Sequence, residues 1–276
     1  MLDVHVPQTT HTWKDFFIHV GTICVGLLIA VSLEQTIEYF HHIHQRSELE
    51  EQLRTESELN KMTREMSVAA YDARLKLLLA IRMDVDKMLA THGKADLPFR
   101  VLTYPPRGHG LPGAGPLPPA GPAYDSAKAD GRIALLSHES TLRYDVVNLE
   151  MTQFAQDDLA SSEAADRRAA FAQQFADPQL LAKPELSRMN DAQLMEYRGL
   201  LMAEIGKLLN QRAHTVIMIG TLNHAISTSE HIKPGAEAVA SWLRATIDAE
   251  ASYPVDLTKM AQEIAADDAA RDKSAK

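Results

Sequence analysis

The chain opens with a long run in which polar residues almost disappear. Phe16 to Leu33 reads FFIHVGTICVGLLIAVSL and contains no Asp, Glu, Lys or Arg. Its apolar residues go all the way round a helix rather than keeping to one stripe, as expected of a segment with lipid on every side. At 1.5 Å per residue it spans roughly 27 Å, near the thickness of a bilayer core. Trp13, Phe16 and Phe17 stand at one edge, with Tyr39 and Phe40 just past the other. Aromatics at both edges suit the two interfaces.

After Glu34 the pattern changes to a stripe. Glu34 to Leu89 contains neither Gly nor Pro and is dense in helix formers, which predicts one long rod continuing out of the membrane helix. Leu49, Leu53, Met66, Ala70, Ala73, Leu77, Ala80, Ile81 and Met88 keep a broken apolar face that turns polar around Ser57 to Lys61. The break is too large for a coiled coil and suits a helix packing against the rest of a domain. His92-Gly93 reads as its end. Between Leu97 and Ala123 lie eight of the thirteen prolines and five glycines, an irregular loop by composition.

Helical patterning returns from Tyr124 to Asp130, closed by Gly131, with a short apolar stretch over Ile133 to Leu136. Thr141 to Phe175 follows as one helix or two. Asn190-Asp191 opens a long helix with Leu194, Tyr197, Leu201, Ile205, Leu208 and Leu209 inward, running towards Ser229 despite Gly206 and Gly220. Val216 to Leu222 is apolar but too short to recross a membrane. A helix over Ala236 to Ala251 follows Pro234-Gly235. No stretch alternates like a strand. The expectation is an all-α fold: an antiparallel bundle of about four long helices whose first member emerges from the bilayer. The organisation expected is a short tail over 1–15, a transmembrane helix over 16–33, a juxtamembrane helix over 34–92, a Pro/Gly-rich loop over 93–123, a bundle domain over 124–255 completed by the long helix, and a frayed or disordered tail over 256–276.

Charge narrows the partners. The formal net charge is −9, and 27 of the 28 basic and 35 of the 37 acidic residues lie after Leu33, a net of −8 there. An acidic domain speaks against a nucleic-acid partner, which requires a basic face. The single cysteine, Cys24, permits no intrachain disulfide. Two other readings of the apolar run stay open. Ala30-Val31-Ser32 would serve as a small-x-small cleavage site, although Asp3, Asp15 and a lone Lys14 make a poor positive n-region. A buried core helix is the other. Lys14 and Arg46 balance across the run, so the positive-inside rule sets no direction. A short N-terminus inside and a large C-terminal domain outside is the simpler topology, which makes the domain periplasmic on a bacterial inner membrane.

Within the span, Thr22, Gly26 and Ala30 recur every four residues and share a face. Small residues at that spacing let membrane helices approach closely, so the anchor is a candidate for pairing with a second copy or another membrane protein. His19 lies one turn from the aromatic edge, at headgroup level. Beyond the span, Glu38 shares a helix face with His41 or His42 and could bridge a metal with one of them. Structural zinc wants four ligands, and no Cys is available. A solvated face is expected there, with no metal and no cofactor. Protonation of His41, His42 and His44 below about pH 6.5 would draw this face to anionic headgroups.

One combination of residues looks familiar. Trp13-Lys14-Asp15-Phe16-Phe17 leads into Val25-Gly26-Leu27-Leu28-Ile29-Ala30, then Glu34 and Tyr39-Phe40-His41-His42; later come Ala123-Tyr124-Asp125-Ser126-Ala127-Lys128-Ala129-Asp130-Gly131, Leu142 and Tyr144. This resembles uncharacterised single-pass bacterial envelope proteins with a Gly-x-Leu-Ile-Ala-type anchor and a helical domain of unknown function. Their central block usually carries Trp where this chain has Tyr124. The resemblance implies anchoring and an extracytoplasmic helical domain, and no activity.

Chemical motifs do not hold up. Gly108-His109-Gly110-Leu111-Pro112-Gly113 matches a dinucleotide fingerprint in letters, yet it follows no strand, opens no helix and contains a proline. Gly199 to Gly206-Lys207 has the wrong spacing for a phosphate loop. His214, His224 and His231 read as satisfied or exposed histidines, and Tyr124, Tyr144 and Tyr197 as core residues. The expectation is a non-enzymatic, membrane-anchored scaffold, adaptor or accessory subunit. The alternatives are an extracytoplasmic ligand-sensing bundle that signals through a partner, and an enzyme with an unrecognised site.

Overall fold

The computed structural model describes residues 13–98, 100, 102, 123–176, 185–227 and 236–274. It is all-α, with no strand among those residues. Helix α1 runs unbroken from Trp13 to Ala90, 78 residues and roughly 115 Å. It ends where His92 and Gly93 take positive φ and the Gly93 N–H bonds to the Met88 carbonyl at 2.9 Å, a left-handed cap of the kind glycine permits. Then come α2 (Ala123–Ala129), a 3-10 turn (Arg132–Leu135), α3 (His138–Gln173), a second 3-10 turn (Leu186–Arg188), α4 (Asp191–Ser227), α5 (Ala236–Ser252) and α6 (Leu257–Ser274). Ser137 caps α3 by accepting from the Ser140 N–H. Asn190 and Gln193 cap α4 reciprocally, each side chain bonded to the other's backbone N–H, the arrangement of a capping box.

Helix α4 is the hub. It packs against α1, α3 and α5. Cross-helix pairs fix the directions: Arg74 and Arg212 on α1–α4 pair with Glu204 and Asp72, Arg168 of α3 meets Glu204, and Trp242 of α5 bonds Thr221. In each case later residues meet earlier ones, so α1, α3 and α5 all run antiparallel to α4. The main core joins Leu75, Leu78, Ile81, Val85 and Met88 of α1 to Leu194, Tyr197, Leu201, Ile205 and Leu208 of α4. A smaller cluster nearer the N-terminal segment holds Leu49 and Leu53 against Tyr124 and Tyr144.

The apolar stretch Val216 to Leu222 is accounted for inside the bundle. α5 covers the side of α4 that α1 and α3 leave open, and it comes very close. A Cβ added to Gly220 would lie 2.6 Å from the Thr246 Cα and 2.9 Å from the Ala245 carbonyl oxygen. Glycine is required there because two backbones nearly touch.

The expected frayed tail over 256–276 is corrected over its described part, since α6 occupies Leu257–Ser274. Asp256 caps it by accepting from the Lys259 N–H at 2.9 Å. Met260 packs against the main core and Ile264 is buried in it, while Lys76 pairs with Glu263 and Asp267. The Ala-, Asp- and Lys-rich composition hid a narrow face, Met260 and Ile264 one turn apart. The Pro/Gly-rich loop and its GxGxxG match lie almost wholly outside the described residues.

Candidate functional site

Two features carry chemical information: the first third of α1 and the polar interior of the bundle. Every described side chain from Trp13 to His44 is exposed. This helix contains a window apolar and long enough to cross a membrane, and none of that window is buried. That exposure sets aside the reading as a core helix, whose apolar face would be covered. Hydroxyls in the run are satisfied internally: Thr22 donates to the Ile18 carbonyl at 2.9 Å and Ser32 to Leu28 at 2.7 Å. Such bonds keep polar groups paired where no water is available. The helix stays continuous through Ala30-Val31-Ser32. Thr22, Gly26 and Ala30 lie along one exposed face, and nothing stands within 4 Å of a Cβ added at Gly26.

Beyond Leu33 a stretch of bare helix precedes the first buried residue, Leu49. It carries Glu38, His41 and His42. His41 Nε2 bonds Gln45 Nε2 at 2.9 Å. Among the described residues, no group of three His, Cys, Asp or Glu side chains is placed to hold a metal ion.

Inside the bundle, α1 buries Ser57, Asn60, Thr63, Arg64 and Ser67 in succession. This is the polar break in the stripe, and it faces inward. The Arg64 side chain lies over the Phe154 ring, 4.1 Å from its centre, a cation–π contact that is strongest when desolvated. Burial holds the Arg64 guanidinium below its ordinary pKa. Ser57 and Ser67 donate to carbonyls one turn earlier, and Gln211 of α4 donates to Asp158 of α3 at 2.8 Å.

Further along, Glu204 is fully buried and takes two arginines, Arg74 at 2.9 Å and Arg168. Arg168 also donates to Tyr197 Oη at 2.9 Å and to the Leu102 carbonyl. These bonds tie α1, α3, α4 and the segment after α1 at one point. Near the end of α1, Asp84 is buried. Its Oδ2 accepts from Arg100 Nε at 2.5 Å, and Arg100 Nη2 reaches Asp268 of α6 at 2.6 Å. Burial pushes the Asp84 carboxyl up, against the pull of Arg100.

No family model, no curated protein and no solved structure matches the chain. The site is therefore read from its own geometry.

The other residues singled out in the sequence fall as follows. Tyr124, Tyr144 and Tyr197 are buried, with Tyr124 donating to Asp145. His214 pairs with Asp157, whose other oxygen accepts from Asn210 at 3.3 Å. His224 bonds Ser241 at 3.3 Å, and burial lowers its pKa. His231 lies outside the described residues. The ionic centres at Glu204 and Asp84 were not anticipated. A signal existed: both acids sit at stripe positions, Glu204 three after Leu201 and four before Leu208, Asp84 three after Ile81 and four before Met88. Such a charge inside an apolar stripe is buried and paired or does not occur.

Proposed function

We propose that this chain is a single-pass, membrane-anchored helical protein of the bacterial envelope, with its bundle in the periplasm, acting as a scaffold, adaptor or accessory subunit rather than as an enzyme. The observation that carries the reading is the contrast along α1: eighteen residues without a charge, all exposed, in one helix with a stripe that is buried from Leu49 onward. Exposing that much apolar surface to water is unfavourable, and a bilayer removes the cost. The bare stretch between span and bundle holds the domain off the surface. Its length, about 22 Å over Glu34 to Glu48, leaves room beside the membrane for a partner. The Thr22/Gly26/Ala30 face offers a second route to a partner, within the bilayer.

The test is extraction and labelling. Wild type should resist alkaline carbonate, and Leu28→Arg should shift the chain to the soluble fraction, since a mid-span arginine costs about 3 kcal/mol on insertion. In a Cys24→Ser background, Ser47→Cys should react with an impermeant maleimide in spheroplasts and Gln8→Cys only after lysis. Equal extraction of both forms defeats the anchor, and the reverse labelling defeats the orientation. Intact mass of the chain recovered from whole cells distinguishes a retained helix from one cleaved after Ser32. One observation favours the second reading, a ligand-sensing bundle: a cavity at the end of α1 remote from the apolar segment.

A further inference from the structure

The bare part of α1 carries an apolar stripe of its own. Leu33, Ile37, Phe40 and Ile43 lie on one side of the helix and are 58, 67, 64 and 46 % exposed. They continue a pattern that begins inside the apolar run. Gly26, Leu33, Phe40 and Ser47 recur every seven residues, and Thr22, Ile29, Thr36 and Ile43 stand four before each of them. Spacings of four and three thus alternate from Thr22 to Ser47, as in the a and d seam of a coiled coil. No residue of the seam is charged. The acids of this stretch, Glu34, Glu38 and Glu48, fall at the outer positions b and f. The hydroxyls of Thr22 and Thr36 donate to carbonyls one turn earlier at 2.9 and 2.7 Å, so covering them leaves no donor unpaired.

The bundle does not cover this face. Its first buried residues on α1, Leu49 and Leu53, lie on the other side of the helix. The next seam positions are Arg54, a charge, and Ser57, already buried in the bundle, so the seam ends where the bundle starts. Lipid does not cover all of it either, if the apolar run is the anchor. Helix α1 is unbroken from Trp13 to Ala90, so the bare stretch leaves along the axis of the run and cannot lie flat in the interface. Ile43 then stands about 15 Å beyond Leu33. Whatever covers the seam must itself leave the bilayer as one continuous helix, with its apolar face in the same phase on both sides of Leu33. A second copy of this chain meets that condition by construction, and two copies anchored in one bilayer run parallel.

We propose that α1 pairs, parallel and in register, with α1 of a second copy through the seam from Thr22 to Ser47; this rests on the anchored reading and names the partner. Gly26 lets the two helices approach closely within the bilayer, and Phe40 and Ile43 pack against their counterparts outside it. Charge at the edge fits the same arrangement. Arg46 falls at g and meets Glu51 at e of the second copy, the pairing that sets orientation in parallel coiled coils. In its own chain Arg46 bonds Glu50 at 3.0 Å and Glu51 bonds Arg54 at 3.2 Å, so the cross pair joins two existing pairs. The bundles lie on the outer sides of the paired helices.

The test is cysteine cross-linking of the full chain in native membranes, in a Cys24→Ser background. Thr36→Cys and Ser47→Cys probe the seam; Gln35→Cys and Gln45→Cys probe the outer positions c and f. Each is co-expressed with a longer, tagged copy of itself, oxidised with copper phenanthroline, and the membranes are then washed with alkaline carbonate. A disulfide needs its Cα atoms within about 7 Å, which facing seam residues meet and outer residues miss. The seam cysteines should give dimer bands, including the mixed band of short and tagged copies, while the outer ones stay monomeric. Adding Phe40→Glu to Thr36→Cys sets two like charges face to face and should abolish the dimer bands while the chain stays in the pellet. The pairing alone is overturned by a chain that stays in the pellet without dimer bands, by equal cross-linking at seam and outer positions, or by bands that survive Phe40→Glu. An adduct of another mass without the mixed band assigns the seam to a different protein and overturns it too. A chain found in the carbonate supernatant overturns the anchor, and the pairing with it.

Discussion

Two stretches of α1 show how one helix serves two surroundings. Residues 16–33 and residues 75–88 are both rich in Leu, Ile and Val. The first is exposed at every described position. The second buries Leu75, Leu78, Ile81, Val85 and Met88, leaves Lys87 exposed and keeps Lys76, Arg82 and Asp86 half-buried beside it. What separates them is periodicity rather than apolar content. Polar residues returning every turn allow one face to meet water and the other to meet protein. Where they never return, protein covers nothing and the segment is apolar and long enough to cross a membrane. The lesson extends to the acids. Asp84 in the buried stretch and Glu204 on the facing stripe of α4 are reached by arginines from neighbouring elements, whereas residues 16–33 carry no acid.

The comparison is broken most severely at Glu204. Glu204→Ala leaves Arg168 buried without its carboxylate and removes the partner of Arg74. Taking one member from a buried ion pair costs about 3–5 kcal/mol. The expected result is a large fall in the urea midpoint of the bundle, followed by loss of the α3–α4 contacts to limited proteolysis. A loss below about 1 kcal/mol would mean the network behaves as an exposed ion pair does, and the buried description of it would be wrong.

Next in size is a pair of identical deletions in the two stretches. Leu201→Ala opens a cavity in the main core, where Leu201 is fully buried, and should cost about 2–5 kcal/mol. Leu28→Ala removes the same atoms from a side chain that is 66 % exposed and should leave the bundle's unfolding unchanged within about 0.5 kcal/mol. Comparable losses would show that residues 16–33 pack on the bundle after all.

Much of this was legible because composition and period agree. The all-α class, the unbroken rod from the apolar run into the stripe, the stop at His92-Gly93 and the limits of α4 all follow from local rules about helix formers, caps and breakers. What escaped depends on contacts between distant residues. α6 was hidden because its part in the hydrophobic core is Met260 and Ile264, too few to stand out of an Ala-rich background. The need for Gly220 is invisible until α5 lies across it. Arg100 could not be assigned to Asp84, since nothing in the sequence brings a residue after α1 back onto the stripe.

Smaller effects come from two glycines on α4. Gly220→Ala drives a methyl into the α5 backbone, and overpacking of this kind costs about 1–3 kcal/mol; α5 should become accessible to protease first. At Gly206 nothing stands within 4 Å of an added Cβ, so Gly206→Ala should stabilise by about 0.5–1 kcal/mol through helix propensity. If both changes act in the same direction, close approach is not the reason for the glycine at 220.

The smallest expected effect is a pH dependence seated in the polar half of the bundle. Burial raises the carboxyl of Glu150, with His214 opposing, and raises Glu56, where the Ala123 N–H opposes by bonding Oε2 at 2.8 Å. An acid whose pKa is higher in the folded chain binds its proton more tightly there. Its contribution to stability is complete below the ordinary value of 4.5 and is lost as pH climbs through the raised value. Glu150→Gln removes that loss. The stability difference, variant minus wild type, should therefore grow from the acidic side of that window to neutral pH, read from urea midpoints at a series of pH values. Glu56→Gln also gives up the charged acceptor for the first amide of α2, so its difference curve should rise less and start lower. A Glu150→Gln curve that stays flat or falls with pH would mean this carboxyl is solvated, and that the polar seam admits water where the packing of α1 against α3 and α4 excludes it.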